Sequence, residues 1–244
     1  MSGDTARASA CATLLICLTC AAAAQSGVQQ PRMGLMVDGL AHARPVFGVS
    51  ASVTLGDAFA GAVMASACSD SWCILKTRDA IVAGGVSTKA PPGPALLAID
   101  GATALMYFPR FHMLARWRDG ALEPVAMNVT GTIVGLRSTA GVAQFAVRRN
   151  GLTWIIDADN HAIDSIPSAS GPVILLPSAT IYTDGGDVVL RRADASELRF
   201  SAPGAQSFLA MAANYVQIRA GQSSYALRID AGQERIFELP EPAR

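Results

Sequence analysis

An all-β chain assembled from a repeated four-stranded unit is the fold that this sequence predicts. Three observations carry the prediction. From Met33 onward, short runs of Val, Ile, Leu, Tyr and Phe are separated by Gly, Asp, Asn and Pro, the pattern of short strands and tight turns. No stretch sustains a helical period between caps over the roughly 12 residues that a helix needs. The strands also recur in a fixed order, and a proline closes each set. Composition agrees: hydrophobic residues make up 51% and charged ones 16% of 244 residues, too apolar for disorder, and aromatics are only 6%. Many small and branched side chains must therefore fill the core.

The first element stands outside the fold. Residues 1–24 have the three parts of a secretory signal peptide: a positive charge at Arg7, an apolar stretch over 12–20, and the small residues Ala21 to Ala24 before Gln25. An uncleaved anchor is one alternative, but the apolar run is short against the roughly 20 residues of a span. A lipoprotein signal with Cys20 lipidated is another, with Thr19 standing where Gly, Ala or Ser is usual. Residues 25–32 read as a linker, 33–240 as one domain and 241–244 as a C-terminal tail. No later stretch is long and apolar enough for a transmembrane helix. The expectation is an exported protein, periplasmic or secreted.

Residues 33–45 open the domain as a hairpin that reads as the last two strands of an incomplete unit ending at Pro45. The unit closing at Pro91 contains Cys68 and Cys73, which flank Ser69, Asp70, Ser71 and Trp72, a hairpin tip. Cys11, Cys17 and Cys20 lie in the signal segment, so an even pair remains in an oxidising compartment. A Cys68–Cys73 disulfide is the expectation, with two free thiols as the alternative. A metal pair has no second Cys or His pair to complete it. A further unit closes at Pro124.

The repeat is clearest in the last three units. Their strands are 133–136, 143–147, 152–156 and 161–167; then 173–176, 180–182, 188–191 and 197–203; then 208–211, 215–218, 225–229 and 234–240. Prolines 45, 91, 124, 167, 203 and 240 hold the same phase. The first strand of each unit is the most apolar and the fourth the most polar. An inner strand packs on both faces, whereas an outer edge strand meets water and tolerates a proline that cannot donate to a ladder.

Four-stranded repeats near 40 residues are the signature of β-propeller blades. In that rhythm, from Met33 to Pro240, the chain resembles exported bacterial propellers of the broad WD40-like and YVTN-like kind. The residues from Met33 to Asp38 and from Arg44 to Val49 are similar to the opening segment of some of them. No Gly-His/Trp-Asp pair recurs. The resemblance implies an all-β propeller and no particular activity; five full units after Pro45 and the hairpin before it give six blades with one incomplete, or five with an extra hairpin. A sandwich does not demand the phased proline. An outer-membrane barrel needs strands of about 9–11 residues with an apolar outer face, and Arg148, Arg149, Arg191 and Arg192 fall where lipid would lie.

Candidate chemistry is sparse. His42, His112 and His161 have no Cys, Ser or acidic neighbour in a catalytic spacing. Asp157, Ala158, Asp159 and Asn160 open like a calcium loop but lack its Gly and distant Glu. They match Asp119-Gly120 and the Asp230-Ala231-Gly232 turn in other units, as left-handed turns do. Thr183 to Asp187 is a hairpin and no phosphate loop. Trp72, Trp117 and Trp154 share a third-strand phase that suggests packing between blades. Lys plus Arg and Asp plus Glu are both 19, which speaks against nucleic acid. No catalytic, cofactor-binding or metal-ligating residue is assigned. The expected function is a non-catalytic scaffolding module binding a protein or glycan; a hydrolase or lyase with its site at one pore mouth is the alternative.

Overall fold

Alternating small and branched residues along a strand give it two apolar faces, and a sheet of such strands must be covered on both sides. A computed structural model describes residues 30–50, 52–166, 169 and 171–242, and shows how this chain covers them. The signal segment, most of the linker, Pro167 and the last two residues of the tail lie outside the described residues. Among those described there is no α-helix, and no helix long and apolar enough to cross a membrane.

Strands β1 (Arg32–Val37), β2 (Ala43–Val49) and β3 (Ser52–Leu55) form a three-stranded sheet. Five antiparallel meanders of four strands follow. The first comprises β4 (Ala65–Cys68), β5 (Cys73–Lys76), β6 (Ala80–Ala83) and β7 (Val86–Lys89). The second has β8 (Leu96–Asp100), β9 (Thr103–Phe108), β10 (Met113–Arg118) and β11 (Ala121–Val125), with a 3₁₀ turn at Pro109–Phe111. The third has β12 (Thr132–Thr139), β13 (Val142–Arg149), β14 (Leu152–Asp157) and β15 (Ala162–Ile166). The fourth has β16 (Val173–Leu175), β17 (Ala179–Asp184), β18 (Asp187–Arg192) and β19 (Glu197–Ser201). The fifth has β20 (Ala205–Ala212), β21 (Tyr215–Ala220), β22 (Ser223–Arg228) and β23 (Arg235–Leu239). All twelve strands read in the last three units are present in their expected order.

Each meander packs one face on the sheet before it and the other on the sheet after it. In β9, Ala104, Met106 and Phe108 face the β4–β7 strands, while Leu105 and Tyr107 face β12–β15. In β18, Val189 faces β12–β15 and Val188 and Leu190 face β20–β23. The first strands β4, β8, β12, β16 and β20 approach one another in succession, and β20 returns to β4. This is a β-propeller.

Three expectations are corrected. Six blades, or five, are not what hydrogen bonding delivers as separate sheets. Ala210 of β20 pairs in parallel with Ala67 of β4 and joins two meanders into one eight-stranded sheet. Four sheets of four or more strands therefore stand beside the three-stranded one. The cause is side-chain size, because two alanines let the backbones of neighbouring inner strands meet. Second, Pro45 is not on an outer strand. It lies in the middle strand β2, opposite Leu35 and one residue beyond the end of β3; Gly56 N–H still donates to its carbonyl, and the Gly56 carbonyl that a Pro45 N–H would have met accepts from Arg44 Nη1. Third, apart from the short β4, the first strands are less continuously buried than second strands such as β9 and β17, because they line an open channel. Fourth strands are largely exposed, as expected.

Closure falls to the chain ends. The β1–β3 sheet lies between the last meander and the first. Met33, Met36 and Val46 pack on Met211, Ala226 and Leu239, and Leu35, Val37 and Ala43 pack on Cys68 and Leu75. Gly34 permits the approach: at φ +139, a Cβ there would sit 2.3 Å from the Met211 carbonyl oxygen. Val216 and Ile218 of β21 face the neighbouring sheet, so Gln217 faces β1. Its amide imitates a strand partner: the Val37 N–H donates to Oε1 at 2.9 Å and Nε2 donates to the Val37 carbonyl at 2.8 Å. Gly39 N–H and the Ser224 hydroxyl both donate to the Glu241 carboxylate. Asp38, wholly buried, accepts from Leu40 N–H, His42 N–H and Arg44 Nε.

Two outcomes are expected. Gln217→Leu strands both polar groups of Val37 without partners, so it should cost about 2–4 kcal/mol in chemical denaturation; an unchanged midpoint would show that the clasp is dispensable. Burial pushes the pKa of Asp38 up, but the Arg44 bond and the two backbone N–H groups outweigh it and hold the carboxyl below its usual value. A depressed folded pKa contributes stability above the unfolded pKa of about 3.9 and loses it as pH falls through the folded value. The gap in melting temperature between the protein and Asp38→Asn should be full at pH 6 and shrink below about pH 4.

Candidate functional site

The connections between first and second strands gather at one mouth of the channel. First strands contribute small and apolar side chains to its wall, including Ala67, Ile99, Ile174 and Ala210, around a cavity of about 500 Å³. Arg137 and Ser138 of β12 and the hairpin tip Ser69, Asp70 and Ser71 add polar groups to the rim. Asp100 fixes part of that rim, accepting from the Ser138 hydroxyl at 2.8 Å and from Gly141 N–H at 2.6 Å.

The β4–β5 hairpin tip is the most constrained part of the mouth. Cys68 and Cys73 stand directly opposite in register and are joined by the disulfide that the spacing predicts. Ser69 N–H donates to the Trp72 carbonyl at 2.9 Å, closing the turn. Trp72 stacks on Trp117 with ring centroids 5.4 Å apart and donates from Nε1 to the Gly101 carbonyl at 2.8 Å. It thus packs between blades, although it precedes a second strand and is not on a third. Asp70 remains exposed and accepts from Ala213 N–H across the β20–β4 joint at 3.3 Å.

On the far side of this tip lies a second cavity of about 620 Å³, which shares Ser69, Asp70, Ser71 and Ala212 with the channel mouth. Phe59, Trp72 and Tyr215 bring aromatic surface to it, and Arg32 and Asn214 bring polar groups. Phe59 is 58% exposed. Neither Phe59 nor Tyr215 was singled out from sequence. Phe59 is an exposed loop aromatic and Tyr215 a half-buried residue at the start of β21, and only the burial pattern distinguishes them from core aromatics.

The histidines do not converge. His112 sits at φ 47 before β10, where its Nε2 donates to the Val129 carbonyl and its Nδ1 accepts from the Tyr107 hydroxyl, because a carbonyl can only accept. His42 is near Asp38 at the β1–β2 turn, and His161 pairs with Asp157 in an exposed turn. Asp157 accepts from Asp159 N–H and His161 N–H, so this segment is an Asx turn; those backbone bonds, His161 first, hold the Asp157 carboxyl below its usual range. Thr183 to Asp187 is the β17–β18 hairpin. Among the described residues, no three His, Cys, Asp or Glu side chains are grouped to hold a metal ion. The mouth can stack, pack and hydrogen-bond a ligand.

Alkylation without reductant should leave Cys68 and Cys73 unmodified in intact-mass analysis of exported protein. Reduction should lower stability by about 2 kcal/mol, since the closed loop is short. Two alkylated thiols in the native, unreduced protein would contradict both.

No family model matches the chain, and no curated protein matches it either. Solved structures do. A chain of a nidogen/laminin complex aligns with TM-score 0.59 at 12% identity over 86% of this chain and 93% of its own. PorZ of Porphyromonas gingivalis, described as a surface component of the type-IX secretion system, aligns with TM-score 0.51 at 12% identity over 86% of this chain. The present chain spans 31% of the length of PorZ. Virginiamycin B lyase of Staphylococcus aureus reaches TM-score 0.47 at 13% identity, over 88% of this chain and 86% of its own. At such identities the likeness shows the fold alone: the chain is similar to β-propeller proteins in its strand architecture.

Proposed function

We propose that this protein is an exported, non-catalytic β-propeller that binds a protein or glycan partner at the channel mouth and the adjoining aromatic cavity. One observation carries the reading: a rigid, disulfide-closed hairpin separates two cavities on one face, with aromatic and polar side chains directed into the larger. Rigid aromatic surface beside Asp and Asn groups gives contact area at small entropic cost. The disulfide supports export, because such bonds persist in oxidising compartments. Cleavage after Ala24 belongs to the same reading, with 25–32 as linker and 33–240 as the propeller. The hydrolase or lyase alternative needs converging proton-transfer groups, and the three histidines lie away from the mouth.

A glycan and peptide panel probed with the purified protein tests the reading. Any ligand found should lose at least tenfold in affinity in Phe59→Ala and in Tyr215→Ala, as anchoring aromatics do. Binding indifferent to both changes would remove the mouth as the site. Turnover of a substrate, abolished by Asp70→Asn in a folded protein, would favour the enzyme instead.

A further inference from the structure

Arg137 is a partly buried cation at the edge of a groove, and its hydrogen bonds go to neutral acceptors. It projects from β12 at the boundary between the channel and a groove of about 400 Å³ that runs between the β12–β15 and β16–β19 sheets. Its Nε and Nη2 donate to Gln144 Oε1, and its Nη1 donates to the Leu176 carbonyl at 3.1 Å. All these acceptors are neutral. They occupy three of the five N–H groups of a guanidinium.

Two more arginines line the groove, and each already has an acid. Arg191 reaches Asp164 at 3.5 Å and the Ser165 carbonyl at 2.9 Å, and Arg192 is ion-paired with Glu234. The Arg191 and Arg192 side chains are only 18% and 25% exposed. Asp164 answers Arg191, and Glu234 and Asp194 lie beside Arg192, so Arg137 alone of the three keeps only neutral acceptors. Burial disfavours that charge and pushes the guanidinium pKa down, with the field of Asp164 opposing it. A partly buried cation held only by neutral acceptors is stabilised by any anion that enters.

We propose that this groove binds the carboxylate of a small ligand with an apolar body, held by Arg137 and flanked by Arg191. A single guanidinium with only neutral acceptors, with acids on its flank, selects a monoanion over a phosphate ester, which carries about −1.5 to −2 at neutral pH. Ile155, Ile163, Pro177 and Ala179 give the rest of the groove an apolar wall for the body. The competing role for Arg137 is a strap that ties β12 to the Leu176 carbonyl and binds nothing. The proposal uses different residues from the mouth reading, so either can fail alone.

Titration calorimetry on the full protein with hexanoate, hexanol and inorganic phosphate separates these outcomes. Hexanoate should bind, hexanol should not, and phosphate should bind more weakly than hexanoate. Arg137→Gln should weaken hexanoate at least tenfold, Arg137→Lys should retain part of the affinity, and the distant Arg199→Gln should change nothing. If Arg137→Gln fails to fold by thermal melting, Arg191→Gln carries the test and should weaken hexanoate severalfold. Absence of hexanoate binding, equal binding of hexanol or phosphate, or affinity unchanged in the folded Arg137 and Arg191 variants would overturn the proposal.

Discussion

The seating of the N-terminal sheet between the last and the first meander is the constraint on which this molecule depends. Apart from the β20–β4 join, every other interface connects sheets that follow one another along the chain. This one joins residues 180 positions apart in sequence, as in the Val37–Gln217 bonds. Without β1 in place, Met211 and Ala226 on one side and Cys68 and Leu75 on the other would face water. Local stacking can build the meanders, but covering both end faces requires a long loop to close, whose entropic cost grows only slowly with length. The ring is stable as a whole or exposes two apolar faces at once.

Packing alone would not set the register of that joint. Methionine and leucine side chains tolerate sliding, and a shift of two residues along β1 keeps the same face buried. The Gln217 amide removes that freedom, because its donor and acceptor match the two polar groups of one residue, Val37. Arg219 adds a bond to the Asp38 carbonyl at 3.1 Å. Ser224 and Glu241 extend the network to the end of the last meander and to Gly39. Residue 241, read from sequence as the start of a tail, is thus part of the clasp. Buried polar groups that are fully partnered specify one arrangement at little net cost. Lys76 obeys the same rule in another place: it is wholly buried, and its ammonium donates to the carbonyls of Thr77 and Arg78 at the end of β5.

What sequence could reveal here was governed by range. Strand order, turn chemistry and the disulfide depend on residues a few positions apart. The turns at Asp157 and Thr183 and the Cys68–Cys73 bridge therefore match their reading. The three-stranded sheet was misjudged because Pro45 looks like an outer-strand residue; only the Gly56 carbonyl, met by Arg44 in place of a Pro45 N–H, shows why it is tolerated in β2. The join of two meanders into one sheet depends on Ala67 and Ala210 meeting across the ring, which no local pattern encodes. Arg137, Asp38 and Gln217 escaped notice for the same reason. Each is an ordinary polar residue in its own strand and acquires its role from a partner elsewhere in the ring.

The geometry of closure also decides where a ligand can be held. Fourth strands face solvent but form scattered outer edges, and the sheet faces are consumed by packing. The turns between first and second strands converge on one mouth, since the first strands converge on the axis. Small residues on those strands keep the channel open, while the β4–β5 tip, clamped by its disulfide and by Trp72 on Trp117, stands fixed beside the β20–β4 joint. A tip tied to both sides of the closing joint cannot shift without loosening the joint itself. Contacts that a ligand made at that tip would therefore be preorganised by the same interactions that complete the ring, and its occupancy would stabilise closure with the logarithm of its affinity.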